Sequence, residues 1–191
     1  PLRGMSERIE IVAPQAGWPD AFAALKAEIL AAIPPPHAIH HIGSTAVPGL
    51  PAKDVIDVQI TVTDLATFDD SGLVALGFVA RYDLVDHAPP GLDLAEPELS
   101  KRFYKAPGRP ANIHVRELGR YNQRFALLCR DFLRAHPVAT AAYGLVKQRL
   151  AARFPDDADA YYDIKDPVFD IIIDGAEEWA LRTGWRLPAG D

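Results

Sequence analysis

Hydrophobic residues recur at helical spacing near the start of the chain. They stand every three or four positions, at Trp18, Phe22, Leu25, Ile29 and Ile33. This spacing puts them on one face of a helix, and the three prolines at 34–36 cannot continue it. The pattern predicts an amphipathic helix over residues 18–33.

Apolar and polar residues alternate in the segments that follow. In residues 55–62, Ile56 and Val58 point into a core, while Asp57 and Gln59 project side by side from the other face. Further strands are predicted at residues 38–42, 78–82, 101–105 and 112–116, and a short helix between 64 and 73. Alternation of this kind is typical of strands buried on one face, so we expect a sheet in this part of the chain.

The last two strands are predicted to form a hairpin around a linker rich in proline and glycine. On the first strand, Arg102 and Tyr104 share a face. On the second strand, Asn112, His114 and Arg116 share the polar face. We therefore expect arginines from both strands to be available to one site.

Helical spacing returns from about residue 121. Three helices are predicted, over residues 121–136, 138–154 and 167–183. The whole pattern favours an α/β fold with a helical C-terminal half. We expect a single domain over residues 1–191, with the α/β core at 5–117 and the helical part at 118–191.

Residues 83–98 show almost no periodicity and are rich in aspartate, proline and glycine. This composition predicts a surface loop, and its length would suit a lid over a site. A role in protein interaction, if the protein has one, would use this loop.

Charge is distributed unevenly along the chain. Residues 1–99 carry 5 basic and 14 acidic side chains, whereas residues 100–150 carry 11 basic and 2 acidic ones. A local positive field can concentrate a small anion, but the net charge of −6 argues against non-specific nucleic-acid binding. No apolar run reaches membrane-spanning length. The single cysteine, Cys129, fits a reducing cytoplasm, where we expect the protein to be located.

Gly43 and Ser44 stand between two predicted strands, and the second strand presents Asp57. A glycine lets the backbone approach a ligand, amides and a hydroxyl hold phosphate oxygens, and a carboxylate holds a divalent cation. This arrangement predicts phosphate and metal chemistry, with Gly43 and Ser44 binding substrate and Asp57 binding the metal. Lys53 closes the connector and could reach the same phosphate. The structural alternative is that Ser44 caps a short helix.

The segment at residues 41–58, HIGSTAVPGL-x-AK-x-x-IDV, resembles the signature of the GrpB family. Other stretches look like landmarks of the same family: NIHV at 112–115, RDFLRAHP at 130–137, YGLVK at 143–147 and YYDIK at 161–165. The resemblance covers nearly the whole chain. It implies the polymerase-beta-like nucleotidyltransferase fold, an α/β (α+β) mixed sheet flanked by helices. It also implies that Lys147, in the helical half, reaches the phosphates of a nucleotide.

Nucleotidyltransferases of this fold hold a triphosphate with a Gly-Ser pair. Two carboxylates on the next strand and a third on a later strand hold two magnesium ions. The Gly-Ser pair and Asp57 match this arrangement, but Gln59 stands where the second carboxylate belongs. The later strand offers His114 and Arg116 in place of an acid. These departures weigh against a two-magnesium site.

Two alternatives remain for the site. Asp57 and His114, with His41 as a further ligand, could bind one softer divalent ion such as manganese or zinc. Arg102 and Arg116 could instead bind phosphate directly through bidentate hydrogen bonds. We favour metal-free or metal-optional anion binding. An ion pair between Asp57 and Arg116 would be the purely structural interpretation.

These observations leave the function open between an enzyme and a binding module. The enzyme would transfer a nucleotidyl or phosphoryl group with magnesium or manganese at Asp57, and with Gln59 and His114 beside it. The binding module would be a catalytically degenerate relative that senses or delivers a nucleotide, and Gln59 favours this hypothesis. GrpB-like domains are also found fused to dephospho-coenzyme A kinase, which suggests coenzyme A precursors as candidate ligands.

Overall fold

The computed structural model describes residues 8–81 and 84–191. The described residues form five helices, α1 (Trp18–Ala32), α2 (Ser71–Ala75), α3 (Tyr121–Ala135), α4 (Pro137–Arg153) and α5 (Ala158–Thr183). They also form five strands, β1 (Ala38–Ile42), β2 (Ile56–Val62), β3 (Val79–Ala80), β4 (Arg102–Lys105) and β5 (Ala111–Glu117). Short 3-10 turns lie at Ser44–Ala46 and Glu96–Glu98. The predicted α/β fold with a helical C-terminal half is confirmed.

The strands form one mixed sheet in the order β1-β2-β5-β4-β3. The central strands β2 and β5 are parallel, and the other neighbouring pairs are antiparallel. Asp57 lies beside Asn112 and Gln59 lies beside His114 across the central pair. Because side chains alternate between the faces of a sheet, the polar residues of β2 and β5 meet on one face.

The other face of the sheet is apolar and packs against α1. Val58 and Ile113 from the central strands and Ile29 from α1 are fully buried there, and Phe22 from α1 is buried beside them. Burial of such a side chain stabilises the fold by about 1.5 to 3 kcal/mol. A register slip of one residue in β2 would turn Asp57 into this core. The apolar face therefore fixes which side chains reach the polar face.

The helices α3, α4 and α5 pack around a second core on the polar side of the sheet. Leu128, Leu133, Tyr143 and Ile173 are among its buried members. Hydrogen bonding ties this layer to the sheet, since the Gln59 amide nitrogen donates to the carbonyl of Gln123 in α3 at 3.1 Å. Between the sheet and these helices lies the space that forms the site.

Helix α5 starts earlier than the predicted position 167. Asp157 caps it by accepting a hydrogen bond from the backbone N–H of Ala160 at 3.0 Å. Pro167 lies inside the helix, which continues to Thr183. The predicted start at Pro167 is wrong because the helix tolerates this proline and its acidic cap, Asp157, lies ten residues upstream.

Two shorter elements also differ from prediction. The Asp64 carboxylate accepts from the backbone N–H of Ala66 in a turn, and the helix begins only at Ser71. The predicted strand at 78–82 is limited to β3, and residue 82 lies outside the described residues, as does residue 83 of the predicted loop. None of the described helices combines the length and the apolar character needed to cross a membrane.

Candidate functional site

A cavity of about 580 Å³ lies between the polar face of the sheet and the helical half. Pockets that hold small ligands typically measure about 300 to 1,000 Å³. Asp57, Asn112 and His114 line its floor, while Ser44 and Lys147 line a wall. Five substrate-binding residues predicted from the sequence, Gly43, Ser44, Lys53, Arg116 and Lys147, border this cavity.

Gly43 occupies a position that only glycine can fill. Its φ angle is +70°, in the region that other residues rarely adopt. A Cβ atom there would lie 2.4 Å from Oδ2 of Asp57, well inside van der Waals contact. The missing side chain therefore lets the Gly-Ser turn sit directly against the carboxylate.

Asp57 is held by two neighbours from β5. The side-chain amide of Asn112 donates to its Oδ1 at 2.8 Å, and Nε2 of His114 lies 3.7 Å from the same oxygen. Burial alone would raise the pKa of Asp57, but the contacts with His114 and Asn112 outweigh burial, so the pKa is lowered. Burial lowers the pKa of His114 despite the nearby carboxylate. The site thus pairs an ionised carboxylate with a neutral imidazole.

Lys147 enters the cavity wall from α4. Its ammonium nitrogen lies 2.8 Å from the hydroxyl oxygen of Ser44 and 4.7 Å from the centre of the Tyr143 ring. The residue is only 3% exposed. No salt bridge formed by residues 8–81 or 84–191 includes it. Burial, reinforced by nearby Lys165 and partly offset by Asp57, lowers the pKa of Lys147 to about 7.

Two further lysines stand beside aromatic rings at the cavity. Lys53 donates to the hydroxyl of Tyr162 and lies 5.0 Å from the centre of its ring. Lys165 lies 5.2 Å from the ring centres of Tyr162 and Phe169 and pairs with Asp166 at 2.6 Å. Both lysines line the cavity. Cations and aromatic faces therefore stand side by side around the space.

The guanidinium of Arg116 forms its hydrogen bonds with other side chains of the protein. Arg116 is 5% exposed, and its guanidinium donates to both carboxylate oxygens of Asp86, at 2.8 and 3.2 Å. It also donates to the amide oxygen of Gln59 at 2.7 Å. The ion pair between Asp57 and Arg116 that the sequence allowed does not form, because Asp86 takes Asp57's place as the partner.

Gln59 lies beneath the cavity rather than in its lining. It is fully buried, and its amide is used by Arg116 on one side and by the Gln123 carbonyl on the other. The sequence placed it beside Asp57 at the catalytic centre. The structure makes it a support for Arg116, since both of its polar atoms already have partners.

Asp86 is the residue that sequence reasoning missed. It comes from the loop at 84–95, and it also accepts from Lys101 at 2.5 Å and from Asn122 at 3.1 Å. Although burial alone would raise the pKa of Asp86, Arg116 and Lys101 hold it well below its usual range. Aspartates are common in polar loops, so no local signal distinguishes this one. Only the tertiary fold brings it to Arg116.

Arg102 points away from the site. Because it lies beside Val115 in the sheet, its side chain is on the apolar side, where it donates to the carbonyls of Phe68 and Leu65. The prediction that it joins Arg116 in one phosphate site is wrong, because the face that Arg102 shares with Tyr104 is the apolar one. Lys101, the preceding residue, lines the cavity instead.

His41 also lies on the other face of the sheet. Its ring stacks on Phe22 with the ring centres 4.8 Å apart, and Nε2 lies 2.9 Å from the hydroxyl of Thr45. It is therefore not a neighbour of Asp57 in a metal site with His114. Within the described parts of the chain, no group of three or more His, Cys, Asp or Glu side chains converges as a metal site would require.

The fold and the site define the class of this protein. It is a mixed α/β protein with a cationic, partly aromatic cavity. Residues 8–174 match the GrpB protein family, so the chain belongs to that family. Over 89% of its length it superposes on the crystal structure of conserved protein GrpB from Enterococcus faecalis, covering 99% of that chain with a TM-score of 0.68 and 25% identity.

Relatives known by sequence carry two kinds of name. A dephospho-CoA kinase of Mycolicibacterium paratuberculosis is 40% identical over 169 residues, which are 78% of this chain and 40% of that protein. The UPF0157 protein PA4798 of Pseudomonas aeruginosa is 34% identical over 178 residues, covering 87% of this chain and 67% of that protein. The chain thus spans less than half the length of the kinase relative it matches.

Proposed function

We propose that this protein binds a nucleotide or a similar phosphorylated small molecule in the cavity between the sheet and the helical half. The observation that carries the proposal is Lys147, a buried amine beside the Ser44 hydroxyl with no carboxylate partner among the described residues. A buried charge without a partner is costly. A ligand anion would supply the missing partner and favour the charged form of Lys147.

The rest of the ligand has a matching surface. Lys53 and Lys165 add positive charge to the cavity beside Lys147, and Lys165 shares its charge with Asp166. Phe125 and Phe169 line the same cavity, with their ring centres 6.5 Å apart. Aromatic faces of this kind stack on planar bases. We therefore place the phosphate groups at the lysines and the organic part of the ligand against the aromatic wall.

The proposal includes a fold of the nucleotidyltransferase type. This part of the proposal is supported by the mixed sheet, in which Gly43 and Ser44 directly follow β1 and Asp57 lies in β2. A divalent metal, magnesium or manganese, at Asp57 is optional in this proposal, because no group of three or more His, Cys, Asp or Glu side chains surrounds that carboxylate among the described residues. Asn112 and His114 are the neighbours that surround this carboxylate. Since Gln59 is buried and fully bonded, a catalytically degenerate binding module fits better than a nucleotidyl or phosphoryl transferase.

The kinase names among the relatives suggest which ligands to test first. Dephospho-coenzyme A and coenzyme A carry both phosphate and an adenine base, so each could use the lysines and the aromatic wall together. A role as a protein-interaction module stays a second candidate, with the loop that supplies Asp86 as its surface. His87 of this loop bonds Asp170 in α5 at 3.0 Å, which places the loop at the cavity edge.

A thermal-shift panel tests the proposal. It compares nucleoside triphosphates, nucleoside diphosphates, coenzyme A and dephospho-coenzyme A, each with and without manganese. A ligand at a hundred times its Kd should stabilise the protein by about 2.7 kcal/mol, a shift of several degrees. Lys147→Met should remove the shift, because the ligand anion loses its buried partner.

The matched control is Lys105→Met, which removes an exposed lysine outside the cavity lining and should leave the shift intact. Asp57→Asn reports on the metal, since only a manganese-dependent shift should be lost. No shift with any ligand would overturn the proposal.

A further inference from the structure

We infer that Ser44 is a nucleophile towards carboxylic esters or thioesters, with Lys147 as its general base. This activity goes beyond ligand binding and would make the cavity the site of acyl transfer or hydrolysis. The inference starts from the direct hydrogen bond between the two side chains, 2.8 Å from Ser44 Oγ to Lys147 Nζ.

The pair has the geometry of a serine activated by a lysine. A nucleophile and its base must lie within about 2.6 to 3.2 Å of each other. Both residues line the cavity, so an electrophile bound there can reach Ser44. The two residues belong to different elements, since Ser44 begins the 3-10 turn after Gly43 and Lys147 lies inside α4. Tyr143, one turn before Lys147, packs beneath its ammonium group.

A lysine can act as a base only when it is neutral. Among the described residues, Lys165 from α5 and Asp57 from β2 act on the charge of Lys147, and the ring of Tyr143 from α4 lies beside it. The side chain of Tyr143 also forms a hydrogen bond with Ser44. Burial and Lys165 disfavour the charged form, and the Asp57 carboxylate does not touch the ammonium group. With its pKa lowered to about 7, Lys147 is substantially neutral at physiological pH.

The electrophile that suits this pair is an uncharged carbonyl carbon. A phosphate dianion beside Lys147 would raise the pKa of the lysine by Coulomb attraction and protonate it. The base would then be lost. An ester or thioester carbonyl brings no charge of its own and leaves Lys147 neutral.

The proposed hydrolysis needs no reactant other than the ester or thioester and water. Ser44 Oγ forms a bond to the carbonyl carbon while its proton moves to Lys147 Nζ. The carbonyl carbon then loses its alcohol or thiol, which leaves with the proton from Lys147. In the second half, water attacks the acyl group, Lys147 takes the water proton, and the Ser44 oxygen leaves the carbon and recovers that proton.

An uncharged fluorophosphonate ester tests the inference, because its phosphorus reacts with activated serines and fluoride leaves. Intact-protein mass spectrometry and peptide mapping should show one adduct, on Ser44. The labelling rate should rise about tenfold between pH 6 and pH 8, as Lys147 loses its proton. This pH profile uses the unaltered protein and needs no variant to fold.

Variants then separate the nucleophile from the cation. Ser44→Ala should abolish the adduct. Lys147→Arg keeps the positive charge but cannot act as a base, so labelling should slow by about a hundredfold or more. Ser100→Ala, at a serine bonded to Glu96 outside the cavity, is the matched control and should label normally.

The inference is overturned if Ser44 is not labelled, if another residue carries the adduct, or if labelling is independent of pH between 6 and 8. Equal labelling of Lys147→Arg, with its fold verified by thermal unfolding, would also overturn it. The probe carries no charge and needs no anion site. Failure here therefore leaves the thermal-shift result for phosphorylated ligands standing, and failure of those ligands leaves this result standing.

Discussion

Two polar clusters share one face of the sheet and differ in how their charges are satisfied. The paired cluster consists of Gln59, Asp86, Lys101, Arg116 and Asn122, which bond one another. The open cluster consists of Gly43, Ser44, Asp57, His114 and Lys147, which line the cavity. In the paired cluster each formal charge faces an opposite charge. In the open cluster the ammonium group of Lys147 faces a hydroxyl.

This difference separates stability from function on one surface. Buried ions that are paired and hydrogen-bonded hold elements together, here the loop at 84–95 against β5. A buried ion without a partner weakens the fold, and such a cost persists mostly where a site has a use for it. The sequence predicts phosphate binding at Arg116, which belongs to the paired cluster. The missing partner of Lys147 instead indicates that the open cluster is the binding site.

The largest expected effect comes from breaking the paired cluster. Asp86→Ala leaves Arg116 and Lys101 buried without their carboxylate, which should cost about 3 kcal/mol of unfolding free energy. Urea unfolding measures the loss. Asp93→Ala, at an exposed aspartate in the same loop, is the control and should change stability little. A loss below about 1 kcal/mol would show that Asp86 is not the anchor.

A smaller effect should follow the charge of Lys147. With its pKa lowered to about 7 by burial, the folded protein binds fewer protons than the unfolded chain from pH 7 up to the ordinary lysine pKa. Stability therefore rises with pH in that window. Relative to Lys147→Met, the unaltered protein should gain about 2 kcal/mol between pH 7 and pH 9.

Urea unfolding of both proteins at each pH gives this difference, because other titrating groups cancel in the comparison. Parallel curves for the two proteins would mean that Lys147 remains fully charged when buried. Its role would then be limited to binding anions.

The smallest effect isolates the contact between the Gly-Ser turn and Asp57. Gly49 also has a positive φ, +78°, but a Cβ there would meet no atom within 4 Å. Gly49→Ala should therefore cost about 1 kcal/mol from backbone strain alone. Gly43→Ala should cost about 1 kcal/mol more, because its Cβ overlaps Asp57.

Combining Gly43→Ala with Asp57→Ala should remove most of the excess, since the oxygen at 2.4 Å is gone and only the Cβ at 3.0 Å remains. The unaltered protein, Gly43→Ala, Asp57→Ala and the double variant form a double-mutant cycle. Their free energies of unfolding give the energy of the contact between Gly43→Ala and Asp57. Equal losses for the two glycine variants would mean that Asp57 moves aside freely.

The alternating pattern of β2 and β5 is enough to predict the floor of the cavity. Asp57, Asn112 and His114 share a face because the apolar residues between them are fully buried on the other. That argument needs only local periodicity and a core on one side. It holds best for the central strands, because their apolar side chains all belong to one buried core.

The face on which Arg102 lies could not be predicted for the short strand β4. The sequence indicates a site shared with Arg116, but Arg102 lies on the apolar side and bonds to backbone carbonyls. An arginine carries a long apolar stem, so it tolerates either face, and four residues give little alternation to fix the register. Asp86 could not be found for a different reason, because its partners are distant in sequence and its loop has no periodicity.

The parallel pairing of β2 with β5 has a consequence for how the chain acquires its site. These strands are joined only after the chain from residue 63 to 110 has closed as a loop, and contacts between distant segments form slowly in folding. Lys147 must then dock from still further along the chain. We therefore expect the cavity to be assembled by late-forming contacts, so that during refolding ligand recognition appears after secondary structure has already returned.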